Sequence, residues 1–353
     1  MTLVPFITVV MPIRNESRFI KETLMQITSQ DYPCDRYEII IADGMSDDGT
    51  REIVLTLSHE YPQIKLLDNQ KRLSSAGRNI GFKNGKGDFF IVVDGHCYIP
   101  DNQLLRNVAD CFEKSGADCL GRPQPLDPPG LTDFQKSVAL ARASRLGHGG
   151  DSMIFGEFEG FASPVSNGAA YARHVFEKIG YVDENFDAAE DVEFNYRVEQ
   201  AGFKCYTSPK LTIRYFPRES LQGLFRQMAR YGKGRRRFTR KHPQALTTNQ
   251  LIPAAFTVGF FCLVSTLLLY LVTGTSLPLV LMAIPYGLYV TLIAGEVFKV
   301  LLRNGAQHAV LIPSILCVIH GALGYGFLKE LFWVPRNNDC NQLGNTGTSR
   351  QNS

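Results

Sequence analysis

Phe89-Phe90-Ile91-Val92-Val93-Asp94-Gly95-His96 is a continuous apolar run, aromatic and β-branched, that ends on a carboxylate. Such a run reads as a strand buried on both faces, the kind found at the centre of a parallel sheet. Open α/β sheets hold ligands beyond the carboxyl ends of their strands. Asp94, with His96 two residues later, therefore marks a place for a charged ligand or a metal. Asp-Gly is also an ordinary turn pair, and the stretch alone leaves both readings open.

Upstream, Phe6 to Ile13 is a β-rich segment ending at Pro12-Ile13-Arg14-Asn15-Glu16. Asn15 is placed to cap a helix whose apolar face is Ile20, Leu24 and Ile27, and Asp31-Tyr32-Pro33 stops that helix. Glu38 to Ala42 is a second buried strand, ending at Asp43-Gly44-Met45-Ser46-Asp47-Asp48-Gly49-Thr50, and a helix through Ile53, Val54 and Leu57 follows. Ile64 to Leu67 is a third strand, and Ser74 to Asn84, with Ser75-Ala76-Gly77-Arg78-Asn79, is a short helix or a loop. Beyond Asp94 come a helix through Leu104, Val108 and Phe112 and a strand near Cys119-Leu120. Strand and helix alternate, which predicts right-handed βαβ units, a mostly parallel sheet and an α/β fold. The first strand-to-helix turn has no G-x-G-x-x-G, and Asn84-Gly85-Lys86-Gly87-Asp88 lacks the P-loop spacing, so a nicotinamide enzyme and a P-loop NTPase are both disfavoured.

From Leu131 the pattern changes. A helix near Thr132 to Arg145 leads into Gly147-His148-Gly149-Gly150, a stretch suited to a lid or an acceptor loop. Asn167-Gly168-Ala169-Ala170-Tyr171 follows, then Ala189-Glu190-Asp191-Val192-Glu193-Phe194, which opens a helix that stops at Gly202. Acids in a first turn complement the helix dipole, so Glu190 and Asp191 have a purely structural explanation as well. Leu221, Leu224, Phe225, Met228 and Tyr231 recur at helical spacing with Arg226, Arg230 and Lys233 on the same helix, the pattern of an amphipathic helix at a membrane surface.

The last third reads as membrane. Leu251 to Thr273 carries no charge over about 23 residues, enough to span the hydrocarbon core. Leu277 to Phe298 and Ala309 to Phe332 are similar, and Thr273 to Ser276 makes a tight turn between the first two. The basic block Arg226 to Lys241 before the first span, with Lys299 and Arg303 after the second, places those segments in the cytoplasm. A multi-pass plasma-membrane protein is expected, with a cytoplasmic α/β domain over 1–217, an interfacial segment over 218–250, about three spans over 251–333 and a disordered polar tail over 334–353. The third span is open to being re-entrant. Eight scattered Cys without a C-x-x-C pair suggest a reducing compartment, and Met1 to Met11 reads as a first strand, not as a signal peptide. No nucleic-acid partner is expected.

Several residues now combine. The second strand ends in Asp43 with Ser46, Asp48, Gly49 and Thr50 behind it; the opening stretch ends in Asp94-Gly95-His96; Glu190-Asp191 lies about a hundred residues on; and Gln227-Met228-Ala229-Arg230-Tyr231 stands before the membrane. The chain resembles a family 2 glycosyltransferase of the GT-A fold, a Rossmann-like mostly parallel sheet, from about Phe6 to Pro253. In detail it is similar to the succinoglycan-biosynthesis type, which shares the Asp-x-His form and the Arg-Tyr-Gly-Lys stretch at Arg230 to Lys233.

The resemblance implies a nucleotide-binding half over 1–100, with Pro12, Arg14, Glu16, Asp43, Ser46, Arg78, Asn79, Asp94 and Gly95 around a nucleotide-sugar, UDP being the expected nucleotide, and an acceptor half over 101–217. It implies a divalent metal, Mn2+ or Mg2+, held by Asp94 and bridging the donor diphosphate. His96 stands where most of the family has a second Asp, and a neutral imidazole still ligates such a metal or bonds phosphate. Asp191 would be the general base of an inverting transfer, with Glu190 beside it. Asn167, Gln227, Arg230 and Tyr231 would serve the acceptor or diphosphate, with Tyr231 replacing the Trp of the Q-x-x-R-W motif. The implied reaction moves a sugar to a lipid-linked saccharide in exopolysaccharide or cell-envelope glycan synthesis, alongside polysaccharide-assembly proteins. A processive polysaccharide synthase and a polyprenyl-phosphate glycosyltransferase are the competing enzymes. From another class, a non-catalytic nucleotide-sugar-binding scaffold is motivated by the missing second acid.

Overall fold

The computed structural model describes residues 4–148, 153–165 and 167–332. Gly149 and Gly150 of the expected lid and the polar tail 334–353 lie outside the described residues. The first half alternates as expected: β1 (Ile7–Ile13), α1 (Ile20–Thr28), β2 (Tyr37–Asp43), α2 (Thr50–Glu60), β3 (Ile64–Asp68), α3 (Ser74–Asn84), β4 (Phe89–Val92), β5 (Cys97–Tyr98), α4 (Leu104–Ser115) and β6 (Cys119–Gly121). Then come α5 (Asp133–Ala143), α6 (Arg145–His148), β7 (Gly160–Phe161), β8 (Gly168–Ala172), α7 (Arg173–Ile179), α8 (Glu190–Gln200), β9 (Cys205–Thr207), β10 (Arg214–Tyr215) and α9 (Leu221–Lys241). Four apolar helices close the described chain: α10 (Thr248–Thr273), α11 (Leu277–Asn304), α12 (Ala306–Ala309) and α13 (Ile312–Leu331).

Among the described residues one sheet of eight strands runs in the order β3-β2-β1-β4-β8-β6-β9-β7, and β10 pairs with β5 in a small antiparallel ribbon. β4 lies inside the sheet, parallel to β1 and antiparallel to β8. Its neighbours on both faces explain why the run is apolar throughout. Successive residues of β1 point to opposite faces: Ile7, Val9 and Met11 share one core with Leu24, Val54 and Val108, while Val10 joins Phe82, Phe90, Tyr171 and Phe194 in another.

Two details bear on the site. Ser74–Asn84 is a helix, and it lies on β1 because glycines face the strand. A Cβ at Gly81 would stand 2.2 Å from Val10 Cγ1, and one at Gly77 would stand 2.8 Å from Pro12 Cβ. That close approach places Arg78 at the carboxyl edge of the sheet. Asn15 does not cap α1, whose N-cap is Phe19 without a side-chain bond. Asn15 takes a left-handed φ of 56° and its Oδ1 accepts the Asp47 N–H at 3.1 Å, so the side chain is spent on the neighbouring loop.

Among the described residues three helices are long and apolar enough to cross a membrane: Thr248–Thr273, Leu277–Asn304 and Ala306–Leu331. α9 packs directly on α13. A Cβ at Gly232 would stand 2.1 Å from Leu323 O, and one at Gly326 2.0 Å from Ala229 O, so the backbones touch. Gly326→Leu is expected to force the pair apart and cost about 1–3 kcal/mol, read as a lower unfolding temperature of the extracted protein. Gly287→Leu, where a side chain meets nothing within 4 Å, should leave that temperature unchanged.

Candidate active site

The loops after β1 and β2 are stitched together beyond the sheet edge. Asp43, fully buried, accepts from Ser46 Oγ at 2.6 Å and from Arg51 Nη1 at 3.2 Å. Ser46 Oγ in turn accepts the Asn15 N–H at 2.9 Å. Thr50 Oγ1 accepts the Glu16 N–H at 2.7 Å and donates to Asp48 at 2.5 Å, and Asp48 also takes the Ser17 N–H at 3.1 Å. Desolvation would raise the Asp48 carboxyl, but bonds from Thr50 and Ser17 overcome it and hold the pKa at about 2. Arg14 is exposed beside Gly44, and Pro12 lies under Gly77.

Beyond β4 the chain turns so that Glu16 covers Gly95, whose Cβ would stand 2.9 Å from Glu16 Cγ. His96 Nδ1 is 2.8 Å from Glu16 Oε1. Burial disfavours the imidazolium, but Glu16 and Asp94 outweigh it and make His96 more basic than usual. The Tyr215 hydroxyl accepts from Arg122 Nη2 at 2.7 Å, and burial together with the nearby Asp94 charge pushes its pKa up.

Across the cleft α8 begins at Ala189, a non-glycine residue with φ of 59°. Its first turn presents Glu190 and Asp191. Glu190 is 3.5 Å from Arg78 Nη2; burial first, then Asp191, raises its pKa against the pull of Arg78. Burial would weaken the Arg78 charge, but Glu190, Asp191 and Asp94 reverse that and keep it firmly ionised. One guanidinium thus faces the carboxylates of both sides. Asp191 Oδ1 accepts the Val192 N–H at 2.8 Å. Asn79 is elsewhere: its amide clamps Val182 and Glu184 at 2.8–3.0 Å and so fixes the loop ahead of α8.

The remaining expected residues fall on two surfaces. On α9, Arg230 Nη2 donates to Asp187 O at 2.8 Å and Gln227 Nε2 lies 3.4 Å from Tyr231 Oη. Asn167 is buried in the turn just before β8, donating to Thr207 Oγ1 at 3.3 Å, with its Oδ1 unpartnered. Sequence reasoning missed Arg122, Arg142, Tyr215 and Arg235. Arg122 is buried with Nε and Nη1 unpartnered. It directly follows β6, and the rule that singled out Asp94 would have found it. Arg142 and Arg235 are weakened as cations, chiefly by burial, and both feel the Tyr231 oxygen. Among the described residues neither has an ion-pair partner.

Among the described residues no group of three or more His, Cys, Asp and Glu gathers as a metal cluster. Asp94 and His96 supply one carboxylate and one imidazole whose second nitrogen is held by Glu16. That set fits a divalent ion that completes its shell with substrate phosphate oxygens and water.

The chain matches the family model "Glycosyltransferase like family 2" over residues 5–234. It is 30% identical to the succinoglycan biosynthesis protein ExoA of Rhizobium meliloti (strain 1021), over 92% of this chain and 94% of that protein. It is 28% identical to a dolichyl N-acetyl-alpha-D-glucosaminyl phosphate 3-beta-D-2,3-diacetamido-2,3-dideoxy-beta-D-glucuronosyltransferase of Methanococcus voltae, over 92% and 97%. The solved mannosyltransferase PcManGT from Pyrobaculum calidifontis, in complex with GDP-Man and Mn2+, shares the fold at a TM-score of 0.57 and 17% identity, covering 94% of this chain and 88% of that one. With the family matched over residues 5–234 and a 30% identical relative aligned over more than nine-tenths of both chains, the chain belongs to glycosyltransferase family 2 and is a sugar transferase of the GT-A fold.

Proposed function

We propose that the protein transfers a sugar, with inversion, from a nucleotide-diphospho-sugar to a lipid-phosphate-linked saccharide at the cytoplasmic membrane face, in exopolysaccharide or cell-envelope glycan synthesis. The observation that carries this reading is Arg78, held among Asp94 on the donor side and Glu190 and Asp191 on the acceptor side.

The stitched loops around Asp43 and Ser46 receive the nucleoside, with Arg14 at the open edge. Asp94 and His96 would hold a divalent metal, which when bound supplies positive charge to the leaving diphosphate. Arg122 adds a preorganised cation on the same side, since two of its nitrogens are buried without a partner. Glu190 is occupied by Arg78, which leaves Asp191 to take the proton of the acceptor hydroxyl. Arg142 and Arg235, flanking Tyr231, suit the phosphate of a lipid-linked acceptor, and Tyr231 itself offers a stacking face beside Gln227 and Arg230.

The test is a panel of labelled nucleotide-sugars given to membranes carrying the protein, with Mn2+ or Mg2+ and a lipid extract. One added sugar per acceptor lipid is expected. A long polymer would favour a processive synthase, and neither transfer nor hydrolysis with any donor would favour a scaffold. Chelation should abolish transfer and Mn2+ should restore it. Glu16→Ala should raise the metal concentration needed for half-maximal activity by about 10–100-fold, because His96 loses the acceptor that fixes its tautomer. An unchanged metal requirement would remove His96 as a ligand.

A further inference from the structure

We infer that the last apolar helix, α12–α13, lies in the membrane plane beneath the catalytic domain and does not cross, so that the chain crosses twice and continues past Leu331 on the catalytic side. The three candidate spans differ sharply in what covers them. The buried residues of α10 are Ala254 and Thr257, and those of α11 are Ile293 and Val300, all in the halves nearest the α/β domain. The far halves turn side chains such as Leu271, Val272, Leu277 and Ile284 outward, as a two-helix hairpin in lipid would. α13 buries nine residues from Ile312 to Glu330. Its core partners include Val138 and Ala141 of α5 and Leu224, Met228 and Ala229 of α9.

Polar ties fix α12–α13 to the domain at its start, middle and end. His308 Nδ1 is 3.3 Å from both Asp133 O and Ser137 Oγ at the start of α5. His320 Nε2 donates to Leu146 O of α6 at 2.8 Å. Glu330, buried, pairs with Arg237 at 2.8 Å and Arg240 at 3.2 Å in the last turns of α9. The start of α5 is itself joined to the chain just before α9, through Gln135 Nε2 to Pro217 O at 3.1 Å. α13 therefore accompanies α9 from its first turns to its last. α9 is fastened to the domain at both ends, by the Arg18–Glu219 pair before it and by Lys241 with Asp183 and Glu193 at its close. It carries Arg226, Arg230, Lys233, Arg235, Arg236, Arg237, Arg240 and Lys241, which belong at the aqueous interface and not in hydrocarbon.

Length decides the matter. From His308 to Glu330 a helix runs about 33 Å at 1.5 Å per residue. A crossing would put those two residues on opposite sides of a hydrocarbon core about 30 Å thick. Both are bound to one face of one domain. α13 also meets the hairpin at its base: a Cβ at Gly324 would stand 2.0 Å from Pro253 O and 2.1 Å from Thr257 Oγ1, and the Tyr289 hydroxyl bonds His320 Nδ1 at 2.8 Å.

The experiment compares three single-cysteine forms of the full chain, made in a cysteine-free background, using a membrane-impermeant maleimide on sealed vesicles of both orientations. Cys34, exposed on the catalytic domain, reports its side; Thr275→Cys reports the hairpin turn; Cys340 reports the segment after α13. Cys340 is expected to label with Cys34 and to be protected whenever Thr275→Cys is labelled. Labelling of Cys340 together with Thr275→Cys overturns the proposal. An epitope tag after Ser353 in the otherwise unchanged chain gives a second reading, free of any folding defect from cysteine removal. Protease reaching the tag in the vesicles that expose Cys34 supports the in-plane helix, and protease reaching it only in the opposite orientation overturns it.

Discussion

Asp191→Asn is expected to lower kcat by about 10²–10⁴-fold while the donor KM stays close to that of the unchanged enzyme. The substitution keeps the size and the acceptor oxygen that receives the Val192 N–H, so α8 should start as before. What it removes is the ability to take a proton. Glu190 is not placed to substitute, because it is buried and paired with Arg78 at 3.5 Å. Glu190→Gln should therefore act differently, weakening the hold on Arg78 and disturbing donor binding as well as turnover. Transfer that survives Asp191→Asn within tenfold, with a larger loss in Glu190→Gln, would exchange the two roles.

Arg78→Ala should have the largest effect on the folded protein. Its guanidinium is the shared counter-charge of Asp94, Glu190 and Asp191, and removing it leaves the buried Glu190 unpaired beside two half-buried carboxylates. Loss of one member of a buried ion pair costs about 3–5 kcal/mol. A clear fall in unfolding temperature and no measurable transfer are expected. Arg78→Ala combined with Glu190→Gln should recover part of the stability, since the buried negative charge is gone, and none of the activity. Equal instability of the single and double variants would mean that Arg78 acts through packing against α3 and β1 and not through charge.

How far the sequence carries this protein depends on how local each signal is. The apolar run into Asp94 was legible because a strand buried on both faces has no room for polar residues, and β4 does sit between β1 and β8. The alternation of strands and helices up to β6 was legible for the same reason. Asn15 was misread because a cap and a loop-to-loop bond use the same side-chain oxygen, and only the partner loop decides between them. Arg78 and Asn79 are adjacent in sequence but point to different tasks, one among the carboxylates and one clamping Val182 and Glu184. Tyr215 reaches Asp94 through a ribbon that pairs β10 with β5, far apart in the chain, and nothing local announces it. Hydropathy likewise scores α13 with α10 and α11, since an apolar helix covered by protein and one covered by lipid have the same composition.

The Glu330 contact with Arg237 has a practical consequence for anyone wishing to cut the molecule. Arg237 also holds Asp187 at 2.7 Å, two residues before the left-handed Ala189 that starts α8, the helix of Glu190 and Asp191. Gly234 lets α9 press on that loop, since a Cβ there would stand 2.4 Å from Ala188 O. A soluble fragment ending ahead of α10 would lose Glu330 and expose Leu224, Met228 and Ala229 to water. Truncation within 218–250 would sever a shared core rather than a tether, and such fragments should aggregate or turn over poorly even with every reacting group in place. Purification strategy follows from that: detergent or nanodisc, with α10 to α13 kept.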